Sequence, residues 1–161
     1  MIARTLRIMA AALAFGFAST AIAQARSIPD DGVTLEEVAA WLSDQGQAAK
    51  IIDDGNGHKI VSSSVGGVKF GVYMFDCNGD KCGSIQFAAG WPANGKIPVT
   101  RVNDWNRTKR WARAYLDTSN GIWLEADVDL TPGGTYELLN DNFATWKKTV
   151  DGFKEFFKLT Q

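Results

Sequence analysis

Three acidic residues at alternate positions, Glu125, Asp127 and Asp129, form the densest group of reactive side chains in this 161-residue chain. Residues two apart on a β-strand point to the same face, so the three carboxylates would share one side of a sheet. Paired carboxylates hydrolyse glycosidic bonds, and carboxylate oxygens bind hard cations. Alternating charge is also what a solvated sheet face requires. The pattern favours a solvated or partner-binding face over a catalytic or metal site.

The other reactive groups are poorly placed for catalysis. His58 is the sole histidine and follows a Gly-Asn-Gly turn at the head of a predicted strand. A nucleophile elbow, Gly-x-Ser-x-Gly, is absent from the sequence. The acidic stretch from Asp53 to Asn56 lacks the spacing of an EF-hand calcium loop and its twelfth-position glutamate. We therefore predict no catalytic residue, no metal ligand and no cofactor.

The two cysteines, Cys77 and Cys82, flank four residues that contain Asn-Gly, a strong hairpin signal. If the flanking strands pair, the sulfur atoms face each other, and an oxidising compartment would close the bridge. A thioredoxin-like redox pair has two intervening residues, and a zinc site needs a second pair of ligands. The spacing predicts a structural disulfide.

The first 23 residues have the features of a secretory signal. Arg4 and Arg7 precede an apolar run from Ile8 to Ala18, and Ala21-Ile22-Ala23 matches the small-residue cleavage pattern. The apolar run is about half the roughly 20 residues that a membrane span needs. We expect a periplasmic protein that begins near Gln24 or Arg26 and has no membrane contact in its mature form.

Cleavage would leave about 138 residues, the size of a single domain. Removing two of 17 basic residues leaves 15 against 18 acidic ones, a formal charge of −3. This balance gives no electrostatic footprint for nucleic acid, and the basic cluster between Arg107 and Arg113 is short and interrupted. We expect a flexible segment over residues 24–33 and one domain over residues 34–159.

The elements that must position the acidic residues are predicted from periodicity and turn signals. Thr34 and Glu37 form a capping box at the start of a helix. Four antiparallel strands follow as a meander, separated by turn-forming residues, and Pro98 is suited to the start of a short helix. The last element is a long helix with an aromatic stripe, beginning near Thr135. The predicted strands span residues 49–52, 59–64, 68–75 and 84–88.

Between the short and the long helix, residues 111–117 and 122–130 alternate in character around a turn. An even-numbered turn would place Arg110, Ala112, Ala114 and Leu116 on the face of the three acids. Core candidates would be on the opposite face: Trp111, Arg113, Tyr115, Asp117, Ile122, Leu124, Ala126 and Val128. A shift of one residue would reverse this assignment.

Three aromatic residues are candidate anchors for a partner, because aromatic side chains supply much of the binding energy of interfaces. Trp91 lies in a predicted loop, Trp123 shares its face with the three acids, and Phe156 flanks the core stripe of the long helix. Tryptophan and phenylalanine in such positions more often pack on the edge of the core than bind a partner.

Three short sequence motifs carry a family resemblance: Asn103-Asp104-Trp105-Asn106, Arg113-Ala114-Tyr115-Leu116-Asp117 and Leu124-Glu125-Ala126-Asp127. With Cys82-Gly83-Ser84-Ile85-Gln86-Phe87 and Gly133-Gly134 before and after them, the chain resembles the YbjN family of bacterial sensory transduction regulators. The resemblance implies an α+β fold related to type III secretion chaperones and carries over no catalytic residue.

Taken together, the residues and the resemblance favour a non-enzymatic regulatory or binding module of the periplasm. The fold class is α+β, with a four-stranded meander, a hairpin and three helices. The partner is an unidentified protein, or a second copy in a homodimer. Two alternatives remain open, a chaperone-like adaptor that holds a protein segment and an enzyme that uses Asp and Glu.

Overall fold

The computed structural model describes residues 25–92 and 97–160, which form three helices and six strands. The predicted signal segment, residues 1–23, lies outside these ranges. Of the two predicted starts of the mature chain, Arg26 lies within them and Gln24 does not. The helices are α1 (Leu35–Asp44), α2 (Val99–Thr108) and α3 (Tyr136–Phe157). The strands are β1 (Lys50–Asp53), β2 (Lys59–Val65), β3 (Val68–Asn78), β4 (Lys81–Trp91), β5 (Arg113–Leu116) and β6 (Ile122–Asp129).

The six strands form one antiparallel sheet in the order β1-β2-β3-β4-β6-β5. The predicted meander is confirmed, and so is the α+β class. The hairpin joins the meander through β6, which leaves β5 as an edge strand. Among the helices of the described residues, none is both long and apolar enough to cross a bilayer.

Two of the helices, α1 and α3, start at residues whose side chains satisfy free backbone N–H groups. The capping box of α1 is present as predicted, since Thr34 Oγ1 accepts from the Glu37 backbone and Glu37 accepts from the Thr34 N–H. At the start of α3, Thr135 Oγ1 accepts from the N–H of Leu138. Helix α3 ends at Phe157, and the following residue, Lys158, caps it in the left-handed conformation, φ 58°.

The core lies between the helices and one face of the sheet, here called the inner face. Phe70 and Phe87 point from β3 and β4 toward Trp41 of α1 and Phe143 and Trp146 of α3. These five aromatic side chains are at most 3% exposed. The centroids of neighbouring rings lie about 5.4 to 6.3 Å apart, a range in which aromatic pairs attract beyond their simple burial.

The segment before α1 contacts the rest of the domain at two apolar residues and through backbone hydrogen bonds. Ile28 and Val33 are buried, and Val33 exchanges two backbone hydrogen bonds with Cys82. The N–H of Tyr136 donates to the carbonyl of Arg26, whose guanidinium lies 3.8 Å from the Tyr136 ring centroid. The flexible segment over residues 24–33 stays a prediction, and within it Ile28 and Val33 pack against the core.

Strand β4 is longer than predicted and ends at Trp91. Trp91 is 6% exposed and packs on Phe153 of α3, with ring centroids 5.3 Å apart. The sequence interpretation placed Trp91 in a loop as an exposed anchor, and the structure places it in the core instead. Gly90 and Pro92 made the stretch look like a turn, although Gly90 continues the ladder opposite Trp123.

Candidate functional site

The loop between β5 and β6 decides which side chains meet the acidic residues. It spans residues 117–121 and therefore has an odd number of residues, so Arg113 pairs with Glu125 and Tyr115 with Trp123. Ala114 and Leu116 face the core with Leu124 and Ile122. The predicted faces are correct for β6 and reversed for β5, because the prediction assumed an even-numbered turn. The face away from the helices is called the outer face below.

Glu125 is the centre of the outer face and is buried, with only 9% of its surface exposed. One carboxylate oxygen accepts from the Tyr115 hydroxyl at 2.7 Å. The other accepts from Arg113 Nε at 2.9 Å and Arg113 Nη2 at 2.7 Å. Arg113, not the predicted Arg110, therefore balances the charge of this carboxylate.

The other two acids extend the outer face along β6. Asp127 accepts from Gln86 Nε2 at 2.7 Å, and its second oxygen lies 3.7 Å from Arg113 Nη1. Asp129 is exposed and lies opposite Ser84 in the ladder. Alternate positions of β6 thus share a face as predicted, but they differ in burial. No group of three His, Cys, Asp or Glu side chains in the described ranges is arranged to hold a metal ion.

A cavity of about 460 Å³ opens on the outer face beside Glu125 and is called the outer-face pocket. Its size falls in the range of small-molecule sites. The sheet forms its floor, the β1–β2 turn one wall, and the β5–β6 hairpin the other. The lining residues include Asp54, Asn56, His58, Ile60, Tyr73, Phe75, Gln86, Ala88, Tyr115, Trp123 and Glu125.

The electrostatics of the pocket keep its phenols protonated. Burial raises the pKa of Tyr115 to about 12, and the hydrogen bond to Glu125 contributes in the same direction. Burial also raises the pKa of Tyr73, and the negative charges of Asp54 and Glu125, on opposite walls of the pocket, raise it further. Both hydroxyls therefore remain hydrogen-bond donors at neutral pH.

Trp123 closes the pocket at the end of the hairpin and is half-buried. Its indole Nε1 donates to Asp117 Oδ2 at 2.9 Å, and this bond is the largest cause of the lowered pKa of Asp117. Asp117 also accepts from the N–H groups of Ser119 and Gly121, so the same carboxylate shapes the turn. The hairpin loop thus fixes the orientation of the indole.

The third predicted anchor, Phe156, lies away from the outer face. It is half-buried and packs edge-on against Trp105, with ring centroids 5.5 Å apart. The guanidinium of Arg101 lies 5.1 Å from the Phe156 centroid and donates to the Phe156 carbonyl. Of the three aromatic candidates, only Trp123 shares a surface with the acids.

The sequence profile of the YbjN family, described as "Putative bacterial sensory transduction regulator", matches residues 34–159. The chain belongs to the YbjN family. A solved structure, described as "YbjN, a putative transcription regulator from E. coli", is similar at a TM-score of 0.54 and 16% sequence identity. That likeness covers 78% of this chain and 89% of the other, and it shows the fold alone. No curated protein matches the chain.

Three of the motifs that carry the YbjN resemblance are adjacent in the structure. Asn106 of α2 binds the backbone of Ala114 in β5, and the motif that contains Glu125 lies on the neighbouring strand β6. The two strand motifs supply Tyr115 and Glu125 to the outer-face pocket, and Asn106 supports β5 from the edge. The likeness was read from residues that are far apart in sequence and adjacent in space.

Residue-level reasoning missed part of the pocket of this YbjN-family chain. Tyr73 and Gln86 lie on β3 and β4, opposite each other in the ladder, and Tyr115 lies on β5. Counting the residues between Leu116 and Ile122 would have placed Tyr115 beside Glu125. Recognising Tyr73 and Gln86 would have required the order of the strands, which no local pattern gives.

The predicted disulfide is present, since Cys77 and Cys82 are bonded and lie opposite each other near the end of the β3–β4 hairpin. His58 lies on the rim of the outer-face pocket, with Nδ1 3.4 Å from Asp54 Oδ2. Its side chain is 75% exposed, as expected for a strand-edge residue.

Proposed function

We propose that this member of the YbjN family is a non-enzymatic regulatory module of the periplasm that binds a segment of a partner protein in the outer-face pocket. The observation that carries the proposal is the chemistry of Glu125. Three hydrogen bonds from Tyr115 and Arg113 occupy its oxygens. Such a carboxylate is held as a structural acceptor, whereas a general base needs an oxygen directed at its substrate.

The pocket walls are better suited to binding a peptide than to catalysing a reaction. Tyr73, Phe75 and Trp123 offer apolar ring surface, and Phe75 is 46% exposed. The hydroxyl of Tyr73 and the amide of Gln86 supply polar groups at the floor. Apolar walls with a few polar groups are typical of recognition sites, in which aromatic anchors supply most of the binding energy.

Photo-crosslinking tests the proposal. A photoreactive amino acid at Phe75 should capture a defined protein in the native periplasm, identified by mass spectrometry, and Trp123→Ala should reduce that capture. The matched control position is Leu138 on α3, which is 50% exposed and lies outside the pocket. The proposal fails if both positions capture the same proteins, if neither captures a protein, or if Phe75 captures only a second copy of the chain.

The periplasmic location has a separate test. The intact mass of the protein released from the periplasm should correspond to a chain that begins near Gln24 or Arg26. A protein that retains residues 1–23, or that stays in the cytoplasmic fraction, would contradict the location. The cross-linking result would remain interpretable in either compartment.

The enzyme alternative is distinguished by the carboxylates themselves. The native chain, Glu125→Gln and Asp127→Asn should all show no turnover on glycoside and ester substrates, because neither acid acts as a catalyst in this proposal. A turnover that is present in the native chain and lost in a folded Glu125→Gln variant would establish an active site on the outer face.

A further inference from the structure

A second cavity, of about 570 Å³, lies between the end of α2 and the middle of α3. We call it the basic pocket. Three basic side chains line it, and in the part of the chain that the structure describes its lining contains no carboxylate. It shares no lining residue with the outer-face pocket. Its main lining residues are Trp105, Lys109, Arg110, Trp111, Lys148 and Thr149.

Trp111, which lines this pocket, has an exposed side chain and a strained backbone. Its side chain is 66% exposed, the largest fraction among the exposed large hydrophobic residues of the described chain. Its backbone has φ 78°, in the region that bulky residues rarely adopt. The guanidinium of Arg110 lies 4.5 Å from the ring centroid. Strain of this kind is found where the surrounding structure imposes it, often at binding sites.

Trp105 also lines this cavity. It is 2% exposed and its indole Nε1–H has no hydrogen-bond partner among the described residues. A buried donor without an acceptor costs free energy.

We infer that the basic pocket binds an acidic peptide segment, with carboxylates between Lys109 and Lys148 and an apolar neighbour on the Trp111 ring. Flexible ammonium groups attract carboxylates as point charges. The exposed indole supplies the contact area that a short peptide needs, and tryptophan is enriched among the residues that dominate interfaces.

Other anions fit less well. Inorganic phosphate has no apolar group to cover the exposed Trp111 ring, which lines the pocket. Three separated cations on a chain with acidic balance are too few for a nucleic acid. A favourable interaction with the dipole of α2 accounts for the positions of Lys109 and Arg110 at the end of that helix. It does not account for Lys148 on another helix or for the strained, exposed Trp111.

The test uses two probes, acetyl-Glu-Leu-Glu-amide and its neutral counterpart acetyl-Gln-Leu-Gln-amide. The indole N–H resonances of Trp105 and Trp111 in isotope-labelled protein should shift with the first peptide and not with the second. Lys109→Gln combined with Lys148→Gln should weaken binding by about tenfold. Lys50→Gln on β1, an exposed lysine outside this pocket, should leave binding unchanged.

Three results would overturn the inference: equal shifts with the neutral peptide, equal shifts with inorganic phosphate, or equal weakening by Lys50→Gln. The absence of any shift at millimolar peptide would overturn it as well. A charge-reversed variant, Lys109→Glu with Lys148→Glu, guards against loss of folding as the explanation. This variant should gain affinity for acetyl-Lys-Leu-Lys-amide, which a misfolded protein would not do.

Discussion

The side-chain amide of Asn106 binds both backbone groups of Ala114: Oδ1 accepts from the N–H at 2.8 Å, and Nδ2 donates to the carbonyl at 2.9 Å. Ala114 lies in β5, an edge strand of the sheet. Edge strands present backbone groups without strand partners. Helix α2 therefore supplies the partner for this edge, and the register that it supports places Arg113 and Tyr115 over Glu125.

Asn106→Ala should lower the free energy of unfolding by about 1 to 3 kcal/mol, since it leaves a backbone donor and acceptor without partners. The matched control is Asn103→Ala in the same helix, since both asparagines are exposed but Asn106 is the one that binds Ala114. Urea unfolding measures both. An equal loss from the two variants would mean that helix propensity, not the bond to Ala114, determines the effect.

The pKa of Tyr115, about 12, gives a direct readout of the Glu125 network. Ultraviolet titration of the native chain minus that of Tyr115→Phe isolates this phenol. Glu125→Gln should move its pKa part of the way toward the ordinary value of about 10, because burial, the larger cause, persists. Asp129→Asn removes an exposed carboxylate from the same strand and should change the Tyr115 pKa far less.

The same shift predicts how stability depends on pH. The folded-state pKa of Tyr115 exceeds its unfolded value, so the stabilisation is fully present below pH 10 or so and is lost as the pH rises through about 12. Solvent screening keeps the effect small, because Tyr115 is 38% exposed. The free energies of unfolding of the native chain and of Tyr115→Phe should therefore converge between about pH 10 and pH 12.

Local patterns predicted the elements that are long and periodic. The aromatic stripe of α3 and the alternation of β6 were read correctly, because each pattern repeats over several turns or residue pairs. The faces of β5 were reversed, because four residues of strand carry too little alternation to correct a wrong loop length. Trp91 was misplaced, because Gly90 resembles a turn until its partner strand is known.

Reduction of the Cys77–Cys82 bond should lower stability by about 2 kcal/mol in the chain-entropy model, since the closed loop is short. The domain should stay folded, because its core of three helices and a sheet does not depend on the bridge. Thermal unfolding with and without reductant measures the change. Complete unfolding on reduction at room temperature would show that the hairpin controls the whole fold.

Two neighbouring phenylalanines of α3 should differ in their contribution to stability. Phe153 is fully buried against Trp91 and Trp105, so Phe153→Ala should cost about 3 to 5 kcal/mol. Phe156 is half-buried, so Phe156→Ala should cost clearly less. Denaturant unfolding compares the two variants. Equal losses would place Phe156 in the core and remove it from the list of surface anchors.

Gly90→Ala should displace the indole of Trp123 and so open the hairpin wall of the outer-face pocket. A Cβ atom at position 90 would lie 2.8 to 2.9 Å from three atoms of the Trp123 ring, closer than real contacts allow. The ring must move, and its Nε1–H then loses Asp117.

Because that bond is the largest cause of the lowered Asp117 pKa, the pKa should rise toward its ordinary value. Carboxyl titration by NMR measures the rise, and the Trp123 indole resonance should shift with it. Gly152→Ala in α3 is the control, since nothing lies within 4 Å of a Cβ atom there. If the partner segment binds against Trp123, Gly90→Ala should weaken its capture while Gly152→Ala does not. A Gly90→Ala protein with unchanged Asp117 pKa and indole resonance would show that the sheet yields instead of the side chain.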